Sequence, residues 1–369
     1  MNNQIRILEV LPNLSQTNGV SSFVMNYIEY INKDKFIIDI IASDYNPSQY
    51  YLNYCKENGI KVFLIPDVNQ IGVKKYYKNL KNFFDNNKRY DIMHCHISNL
   101  GMFYLRFAKK QNIPVRILHS HATQSAETAI KLIRNTLIQN ITVYYANEFV
   151  ACSFAAGKYL FKKRKFQILN NAIDYRKYTF KKIFRDEVLD KYKLSEKNTI
   201  VGFSGRLCQQ KNIMFLLELI KNVIDKDQDF KFFIIGNGPL QEKTCKYITE
   251  NKLSDNIIYL SEVFDMYKYY SAFDIFVLPS KYEGLPVVGI ESQISGCKTF
   301  FSDRITPEVK ISSNTVFLNI NNTDVWVKNI LENKNIKREP NNVLIDKYDV
   351  EKEVKKVEEF YLTSLNNKI

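Results

Sequence analysis

The clearest indication of the fold class lies in Leu278-Pro-Ser-Lys-Tyr-Glu-Gly-Leu-Pro-Val-Val-Gly-Ile-Glu291. The four apolar residues from Ile275 to Leu278 are typical of a buried strand. A turn containing glycine and proline follows, and Pro286 suits the first turn of a helix that continues past Glu291. The stretch therefore predicts a strand, a loop and a helix, with Glu283 in the loop and Glu291 more than one turn into the helix.

Short apolar runs alternate with longer amphipathic segments along the whole chain of 369 residues. Strands that alternate with helices of this length indicate βαβ units and parallel sheets. Two such sets, divided near residues 171–178, predict an α/β protein with two doubly wound domains, 1–172 and 173–345, and a last amphipathic helix over 350–365. The predicted strands cover residues 5–11, 36–41, 61–65, 91–94, 115–119, 148–151, 166–169, 199–204, 230–235, 257–260, 275–278 and 298–301.

The composition is that of an ordinary globular protein, with 45% apolar and 25% charged residues. The six cysteines are scattered, and none forms a CxxC pair. Because the amino terminus passes almost at once into the first predicted strand, we expect no signal peptide, a cytoplasmic location and reduced thiols. No stretch approaches the roughly 18 apolar residues that span a bilayer, so no membrane-crossing segment is expected.

The net charge of +13 is unevenly distributed. Residues 1–172 contain 22 lysines and arginines against 11 acidic residues, whereas the remainder contains 30 against 28. Such asymmetry indicates an anionic partner for the first half. The densest basic cluster, Lys158-Tyr-Leu-Phe-Lys-Lys-Arg-Lys165, suits either peripheral contact with an anionic membrane or an ordinary solvated face. Nucleic acid would also suit the charge, but no recognition motif supports it.

Two glycine loops follow predicted strands and precede helices. Ligands of open parallel sheets bind beyond the carboxyl ends of the strands. Glycine in Asn18-Gly19 and in Gly236-Asn-Gly238-Pro lets backbone N–H groups approach a phosphate at a helix start. Taken singly, each loop is equally compatible with a plain turn.

A third loop, Gly205-Arg206-Leu-Cys-Gln-Gln-Lys211-Asn, places two cations directly after the strand at 199–204. Arginine can fork onto two phosphate oxygens, and lysine supplies a point charge. A diphosphate leaving group needs such neutralisation in the transition state. Standing alone, the motif could equally be a solvated loop.

The pair Glu283 and Glu291 raises the alternative of a glycoside hydrolase. Hydrolase carboxylates stand roughly 5–9 Å apart. A helix from residue 285 would place Glu291 about 9 Å along the axis, so geometry alone leaves this alternative open. A hydrolase, however, has no use for the basic clamp formed by Arg206 and Lys211.

All four histidines fall in two pairs, His94-Cys-His96 and His119-Ser-His121. Each pair follows a predicted strand, which favours a shared position at one edge of a sheet. Zinc is one hypothesis, but no acidic ligand or CxxC spacing accompanies the pairs. A catalytic or substrate-orienting histidine is the favoured interpretation, with the others satisfied structural histidines.

Taken together and in order, these motifs resemble the retaining glycosyltransferases of the GT-B fold, specifically glycosyltransferase family 4. That family has a glycine loop after its first strand, a G-R-L-x-x-x-K-G/N segment, a G-x-G-P turn and an E-x7-E signature. Residues 170–174 resemble its P-N-G-I-D linker, and residues 274–280 its D-x-F-V-L-P-S strand. The resemblance spans nearly the whole chain. It implies two Rossmann-like domains facing a central cleft: an acceptor-binding amino-terminal domain, on which residues 346–369 pack, and a donor-binding carboxyl-terminal domain.

The resemblance also implies roles for single residues. Glu283 would hold the donor-sugar hydroxyls and Glu291 the ribose hydroxyls. His121, with His119 as the second choice, would contact the donor sugar and orient the reaction. The implied reaction proceeds with retention, and the leaving phosphate accepts the acceptor's proton. The donor-binding positions carried over from the family are Gly19, Arg206, Lys211, Gly236, Gly238, Gly284, Leu285, Pro286, Val287 and Glu291.

Arg206 and Lys211 would take the place of a metal on the diphosphate, so neither a metal nor another cofactor is expected. Two departures from the family pattern remain. Asn18-Gly19 stands where the family has Gly-Gly, which predicts looser phosphate contacts. Ala172 replaces the linker glycine, which predicts a stiffer hinge.

The HSH form, the basic first half and the Tyr-rich, Asn-rich composition resemble bacterial enzymes of capsule, exopolysaccharide or O-antigen assembly. The resemblance implies transfer of a hexose or N-acetylhexosamine from a nucleotide sugar, by family frequency a UDP-sugar. The acceptor would be a glycan or a polyprenyl-diphosphate-linked sugar at the inner face of the plasma membrane. Two alternatives stay open: a nucleotide-sugar epimerase, and a non-catalytic protein that binds a nucleotide sugar.

Overall fold

The chain divides into two compact units in a computed structural model. Unit 1 comprises residues 1–172 and 347–369, and unit 2 comprises residues 173–346. The residues that the structure describes are 4–15, 18–45, 47–87, 90–123, 129–336, 338 and 345–368.

Within the described residues, unit 1 is built on a seven-stranded parallel sheet with the strand order β3-β2-β1-β4-β5-β6-β7. The central strands are apolar runs with both faces covered, as parallel sheets require. The strands are β1 (Ile5–Leu11), β2 (Phe36–Ser43), β3 (Lys61–Ile65), β4 (Ile92–Cys95), β5 (Val115–Ser120), β6 (Glu148–Ala151) and β7 (Gln167–Ile168).

Helices connect these strands, and the last helix of the chain returns to this unit. Val350, Val354 and Tyr361 of that helix belong to the same buried cluster as the β1 and β2 side chains. The helices of unit 1 are α1 (Gly19–Tyr30), α2 (Gln49–Glu57), α3 (Val68–Asn86), α4 (Gly101–Lys110), α5 (Ala129–Tyr145), α6 (Phe154–Phe161) and α14 (Val350–Asn366).

Unit 2 has a six-stranded parallel sheet in its described part, with the order β10-β9-β8-β11-β12-β13. The strands are β8 (Thr199–Ser204), β9 (Phe230–Ile235), β10 (Ile257–Leu260), β11 (Ile275–Leu278), β12 (Lys298–Ser302) and β13 (Thr315–Leu318). The helices are α7 (Tyr175–Tyr178), α8 (Lys182–Lys191), α9 (Ile213–Ile224), α10 (Gln241–Glu250), α11 (Met266–Ala272), α12 (Val287–Ile294) and α13 (Asp324–Glu332).

The predicted α/β class with two doubly wound parallel sheets is confirmed. Both sheets reverse their strand order once, at β1/β4 in unit 1 and at β8/β11 in unit 2. In such sheets the loops diverge at the reversal and leave a crevice beyond the carboxyl ends of the two strands. These two reversal points are therefore where ligand-binding groups are expected.

Three local predictions need correction. Strand β13 was not predicted. Pro286 is the N-cap of α12, in an extended conformation, rather than a residue of its first turn. Leu160 and Phe161, whose interleaving with lysines suggested a membrane-facing segment, are buried in unit 1.

Among the described residues, no helix has both the length and the apolar character that crossing a membrane requires.

Candidate active site

In unit 2 the loops after β8 and β11, the strands at the reversal point, carry the motifs that sequence analysis singled out. Lys211 ends a short 3-10 turn after β8, and Asn212 with φ 58° then starts α9. Lys211 Nζ lies 2.6 Å from Oε1 of Glu283 in the loop after β11. Both side chains are largely buried. The structure thus brings together the lysine predicted for the diphosphate and the carboxylate predicted for the sugar.

Gln210 holds the same two loops together. Its side-chain amide donates to the Tyr282 carbonyl at 3.0 Å and to Glu283 Oε2 at 3.4 Å. The backbone carbonyl of Gln210 accepts a hydrogen bond from the Lys281 N–H at 2.8 Å. Because both carboxylate oxygens of Glu283 accept hydrogen bonds, its position is fixed from two directions.

The loop after β9 lies against the loop after β8. Leu207 donates its N–H to the Asn237 carbonyl at 2.8 Å and accepts from the Leu240 N–H at 2.9 Å. A Cβ on Gly236 would come within 2.1 Å of the Gly205 carbonyl oxygen, and one on Gly238 within 2.6 Å of the Leu207 carbonyl oxygen. These glycines are therefore needed for loop-to-loop contact, whatever they also offer to a ligand.

Arg206, also between β8 and α9, is exposed. Its guanidinium can therefore turn toward an anion without loss of core packing. The stretch that leads from Glu283 into α12 is buried instead, and comprises Gly284, Leu285, Pro286 and Val287.

Glu291 lies buried in α12, where the Tyr270 hydroxyl donates to its Oε2 at 2.9 Å. Burial raises the pKa of Glu291 to about 7, and hydrogen bonds from Tyr270 and Tyr178 lower it only in part. A carboxylate in this position would gain from further hydroxyl donors, because each one favours its charged form.

In unit 1 the four histidines form one group, which we call the histidine cluster: His94, His96, His119 and His121. His94 lies within β4 and His119 within β5, so the expectation that both pairs follow strands holds only for His96 and His121. His94 Nε2 is 3.1 Å from His119 Nδ1, and His96 Nδ1 is 2.8 Å from His121 Nε2. The expected shared position is thus observed.

An acidic residue does accompany the cluster, contrary to the sequence-based expectation. Glu9 of β1 is fully buried; its Oε2 lies 2.8 Å from His96 Nε2, and its Oε1 accepts from the Tyr361 hydroxyl at 3.0 Å. That hydroxyl is also 2.7 Å from His94 Nδ1. Burial raises the pKa of Glu9, but its electrostatic interactions and hydrogen bonds with His94 and His96 lower it more, so the carboxylate stays ionised.

Because Glu9 is ionised, the positions of the protons can be deduced along the hydrogen bonds that link Glu9, His96 and His121. Glu9 can only accept, so His96 Nε2 carries a proton. Burial lowers the pKa of His96 to about 4, so its ring is neutral near pH 7 and its Nδ1 accepts from His121 Nε2–H. Burial likewise holds the pKa of His121 well below its usual range. His121 therefore keeps a bare Nδ1 that can accept a hydrogen bond from a hydroxyl.

The two histidines proposed for sugar contact differ in access. His121 is half-buried, whereas His119 is fully buried and meets the Phe23 ring edge-on at 5.2 Å. Nε2 of His119 has no hydrogen-bond partner among the described residues. Only His121 of the two offers side-chain surface to a ligand.

Three members of the cluster have the spacing of a metal site. Nitrogen atoms of His94, His96 and His119 lie within 4.8 Å of one another. Both ring nitrogens of His94 and of His96 already have hydrogen-bond partners. Because zinc needs a free lone pair from each ligand, coordination would require exchanging these bonds. The arrangement favours a hydrogen-bonded cluster over a metal centre.

Gly19 is the first residue of α1, and Asn18 is its N-cap. Asn18 Oδ1 accepts from the N–H groups of Val20 at 2.9 Å and Ser21 at 3.4 Å. These are the donors that a phosphate at the helix start would use. In this structure the asparagine side chain satisfies them, as an ordinary cap does.

Sequence reasoning missed Glu9, Tyr361 and Tyr270. A signal for Glu9 was present, because a glutamate inside the apolar strand Ile5–Leu11 is a buried charge that requires partners. Tyr361 and Tyr270 both lie on helices. Because the chain contains many other tyrosines, no local pattern distinguishes these two.

Solved structures of other proteins share the fold of this chain. UDP-glucose-bound HepE of Anabaena has the same fold, with a TM-score of 0.79 at 13% identity over 98% of this chain and 100% of that chain. The TarM structure gives a TM-score of 0.68 at 15% identity over 98% of this chain and 99% of that chain. The chain thus has the GT-B fold that the motifs predicted. Residues 184–362 match the family described as glycosyl transferases group 1, so the resemblance to the GT-B glycosyltransferases is confirmed.

Curated relatives match over most of the chain. A putative glycosyltransferase of Bacillus subtilis, EpsF, is 27% identical over 83% of this chain and 81% of its own length. A UDP-Gal:α-D-GlcNAc-diphosphoundecaprenol α-1,3-galactosyltransferase of Escherichia coli is 25% identical over 99% of this chain and 98% of its own length. Glycosyl transfer is therefore the class of activity that these relatives share with the family.

Proposed function

We propose that this protein transfers a hexose or N-acetylhexosamine, with retention, from a UDP-sugar to a glycan or polyprenyl-diphosphate-linked acceptor in bacterial surface polysaccharide synthesis. The observation that carries the proposal is the contact between Lys211 and Glu283 at the sheet reversal of unit 2. It joins a phosphate-binding cation to a carboxylate that can accept hydrogen bonds from sugar hydroxyls. A nucleotide sugar presents the matching groups, a phosphate and sugar hydroxyls, side by side.

In the proposed donor site, each part of the nucleotide sugar is bound by particular residues. Arg206 and Lys211 neutralise the diphosphate in place of a metal ion, which spreads the charge that develops on the leaving oxygen. Glu283 accepts hydrogen bonds from the sugar, and Glu291 from the ribose. Gly19 of unit 1 is a further proposed phosphate contact, once the cap formed by Asn18 opens.

The proposed reaction breaks the bond between the anomeric carbon and the diphosphate oxygen. The acceptor oxygen forms the new bond on the same face of the sugar, and its proton passes to the leaving phosphate. His121 supports the reaction by accepting a hydrogen bond from a donor-sugar hydroxyl at its bare Nδ1. It acts as an orienting group, because a neutral imidazole with a strongly lowered pKa is a poor proton store.

The relatives support the choice of substrates. The Escherichia coli relative is named for a transfer with UDP-galactose as donor and a diphosphoundecaprenol-linked sugar as acceptor. CapM and CapH of Staphylococcus aureus, both named for capsular polysaccharide biosynthesis, are 26% and 23% identical over 42% and 68% of this chain. The UDP-glucose in the HepE complex is a donor of the proposed class.

The test is incubation of the purified protein with UDP-, GDP- and ADP-sugars, followed by separation of nucleotides and sugars. Slow release of UDP and free sugar supports the proposal, and Glu283→Gln should reduce that release at least 100-fold in a protein that is still folded. An isomerised nucleotide sugar would establish an epimerase instead. Binding without turnover, seen as a raised melting temperature with every donor intact, would establish a non-catalytic protein.

A further inference from the structure

Helix α5 of unit 1 carries a row of large apolar side chains on its outer face. Ile130, Ile133, Leu137, Ile141 and Tyr144 are between 47% and 83% exposed. At 3.6 residues per turn they lie within about 80° of one another, along roughly 21 Å of the helix. We call these five residues the α5 stripe. A helix on the surface of a globular unit normally presents polar residues at this position.

The inner face of α5 carries three buried polar side chains, next to the buried Val143. Asn135, Gln139 and Thr142 are buried, roughly 170° around the helix from the stripe. The Gln139 amide donates to Ser98 Oγ and the Thr142 hydroxyl to the Asn99 carbonyl, each at 3.4 Å. These contacts fix the rotation of α5, so the stripe remains turned away from the core.

The charge excess of the chain is concentrated around this helix. Residues 98–172 contain eleven lysines and arginines and two glutamates, whereas residues 1–97 contain eleven against nine acidic residues. One of the two glutamates, Glu148, is paired with Lys368 at 3.4 Å. The segment of unit 1 that contains α5 is therefore strongly cationic.

Cationic side chains border the stripe on both sides. Lys109 Nζ lies 5.0 Å from the centroid of the Tyr144 ring. Lys162, from the basic cluster at residues 158–165, donates to Asn140 Oδ1 of α5 at 3.4 Å. Arg134 is exposed on the helix itself. An apolar strip edged by lysine and arginine matches the acyl boundary and the anionic headgroups of a membrane.

The same charges disfavour a second copy of the chain as the partner. In a two-fold contact each stripe would face its equivalent, which would bring like-charged lysines and arginines together as well. An anionic lipid surface offers apolar burial and opposite charge at once.

We infer that α5 is a membrane-docking helix, which lies in the headgroup region of an anionic bilayer with the α5 stripe inserted. The inference rests on the proposed function in one respect only: the purpose of docking would be to give the enzyme access to a lipid-linked acceptor. Docking itself requires neither donor nor acceptor, and the two can therefore fail separately.

The first experiment is flotation of the full chain with vesicles of phosphatidylcholine containing 30% phosphatidylglycerol, against vesicles of phosphatidylcholine alone. Leu137→Ser/Ile141→Ser should lower binding at least tenfold. The matched control is Ile183→Ser/Val325→Ser, which replaces two unit 2 residues of 64% and 48% exposure, close to the 62% and 47% of the stripe pair. This control should bind like the wild type, and binding should weaken as salt is raised.

The second experiment does not depend on loss of binding. Trp326, the single tryptophan, is buried in unit 2, so it serves as an internal reference. Ile133→Trp should gain a blue-shifted emission that brominated lipids quench, whereas Ile183→Trp should not. Quenching at both positions or at neither would overturn the inference.

Further outcomes separate docking through α5 from its alternatives. Equal binding of wild type and stripe variant, or equal binding to both vesicle types, overturns docking through this helix. A dimer that the stripe variant dissociates, with vesicle binding unchanged, assigns the surface to a second copy instead. UDP-sugar turnover without vesicles should be the same in wild type and stripe variant. Vesicle binding without turnover would therefore contradict the proposed function while still supporting α5 as a docking helix.

Discussion

Lys211 Nζ and Glu283 Oε1 are 2.6 Å apart, although 72 residues separate them in sequence. The contact exists because β8 and β11 are neighbours in the sheet, so the loops after them meet at the reversal point. It couples the predicted phosphate site to the predicted sugar site. Substitution of either residue should therefore affect both the stability of unit 2 and the use of the donor.

Lys211→Ala should lower the free energy of unfolding by about 3 kcal/mol, because it leaves the carboxylate of Glu283 largely buried without its cation. Lys211→Ala combined with Glu283→Ala should cost at least about 1 kcal/mol less than the sum of the single changes. Urea unfolding measures both quantities. Arg206→Ala is the control: as an exposed residue it should leave stability unchanged and still reduce UDP release. Additive losses for the pair would contradict the coupling.

Gly236→Ala tests whether the glycine turn is structural. Its Cβ would lie 2.1 Å from the Gly205 carbonyl oxygen, and the backbone has φ +137°, so the loops must separate. We expect a loss of roughly 3 kcal/mol together with weaker binding of UDP, measured by urea unfolding and calorimetry. Gly19→Ala is the matched control, since nothing lies within 4 Å of its added Cβ. It should unfold like the wild type, and a loss of turnover there would report on the ligand alone.

The element pattern of this chain was readable because its parallel strands are apolar runs between amphipathic helices. The strands 199–204, 230–235, 257–260 and 275–278 have the same ends in the prediction and the structure. Strand β13 was not predicted because it is a four-residue edge strand that directly follows polar residues. Two of its four residues, Val316 and Phe317, are only half-buried. Such a segment carries too few apolar residues for a periodic signal.

The contacts within the candidate site were less accessible than the motifs. That Lys211 touches Glu283 depends on which strands are neighbours, and strand order is not encoded in any local pattern. Glu9 is 87 residues from His96 in sequence and reaches it because β1 and β4 pair, with Glu9 opposite His94. The histidines could be grouped from their spacing, but their hydrogen-bond partners could not.

Glu291→Gln should stabilise the protein at alkaline pH. The pKa of Glu291 is raised from 4.5 to about 7 in the folded protein, so between these values the folded state holds a proton that the unfolded state has lost. Stability must therefore fall as pH rises through this window. At pH 8 the variant should be up to about 3 kcal/mol more stable than the wild type, and the difference should vanish near pH 4.

Urea unfolding at pH 4, 6 and 8 measures this difference. Glu218→Gln, at an exposed helical position, is the control and should show no such trend. A Glu291→Gln variant that is less stable than the wild type at pH 8 would show that the carboxylate is stabilised by its surroundings rather than strained by burial.

The last prediction concerns the protonation of the histidine cluster. With four histidines in the chain, selective ¹⁵N labelling gives a resolvable long-range ¹H–¹⁵N spectrum. His96 and His121 should both appear as neutral rings with a proton on Nε2 and a bare Nδ1, as the bonds from His121 through His96 to Glu9 require. His96 should stay neutral down to about pH 5, since burial lowers its pKa to about 4.

The same shifts should make unit 1 sensitive to acid. His96, His119 and His121 all have lowered pKa values in the folded protein, so below pH 6.5 the unfolded state binds more protons, and stability falls with falling pH. Each group contributes up to about 1.4 kcal/mol per pH unit in that window. Urea unfolding followed by circular dichroism between pH 7.5 and 5 measures the slope. Ordinary protonation of His96 and His121 near pH 6.5, or a flat pH profile, would refute the assigned network, and with it the bare Nδ1 proposed to meet the sugar.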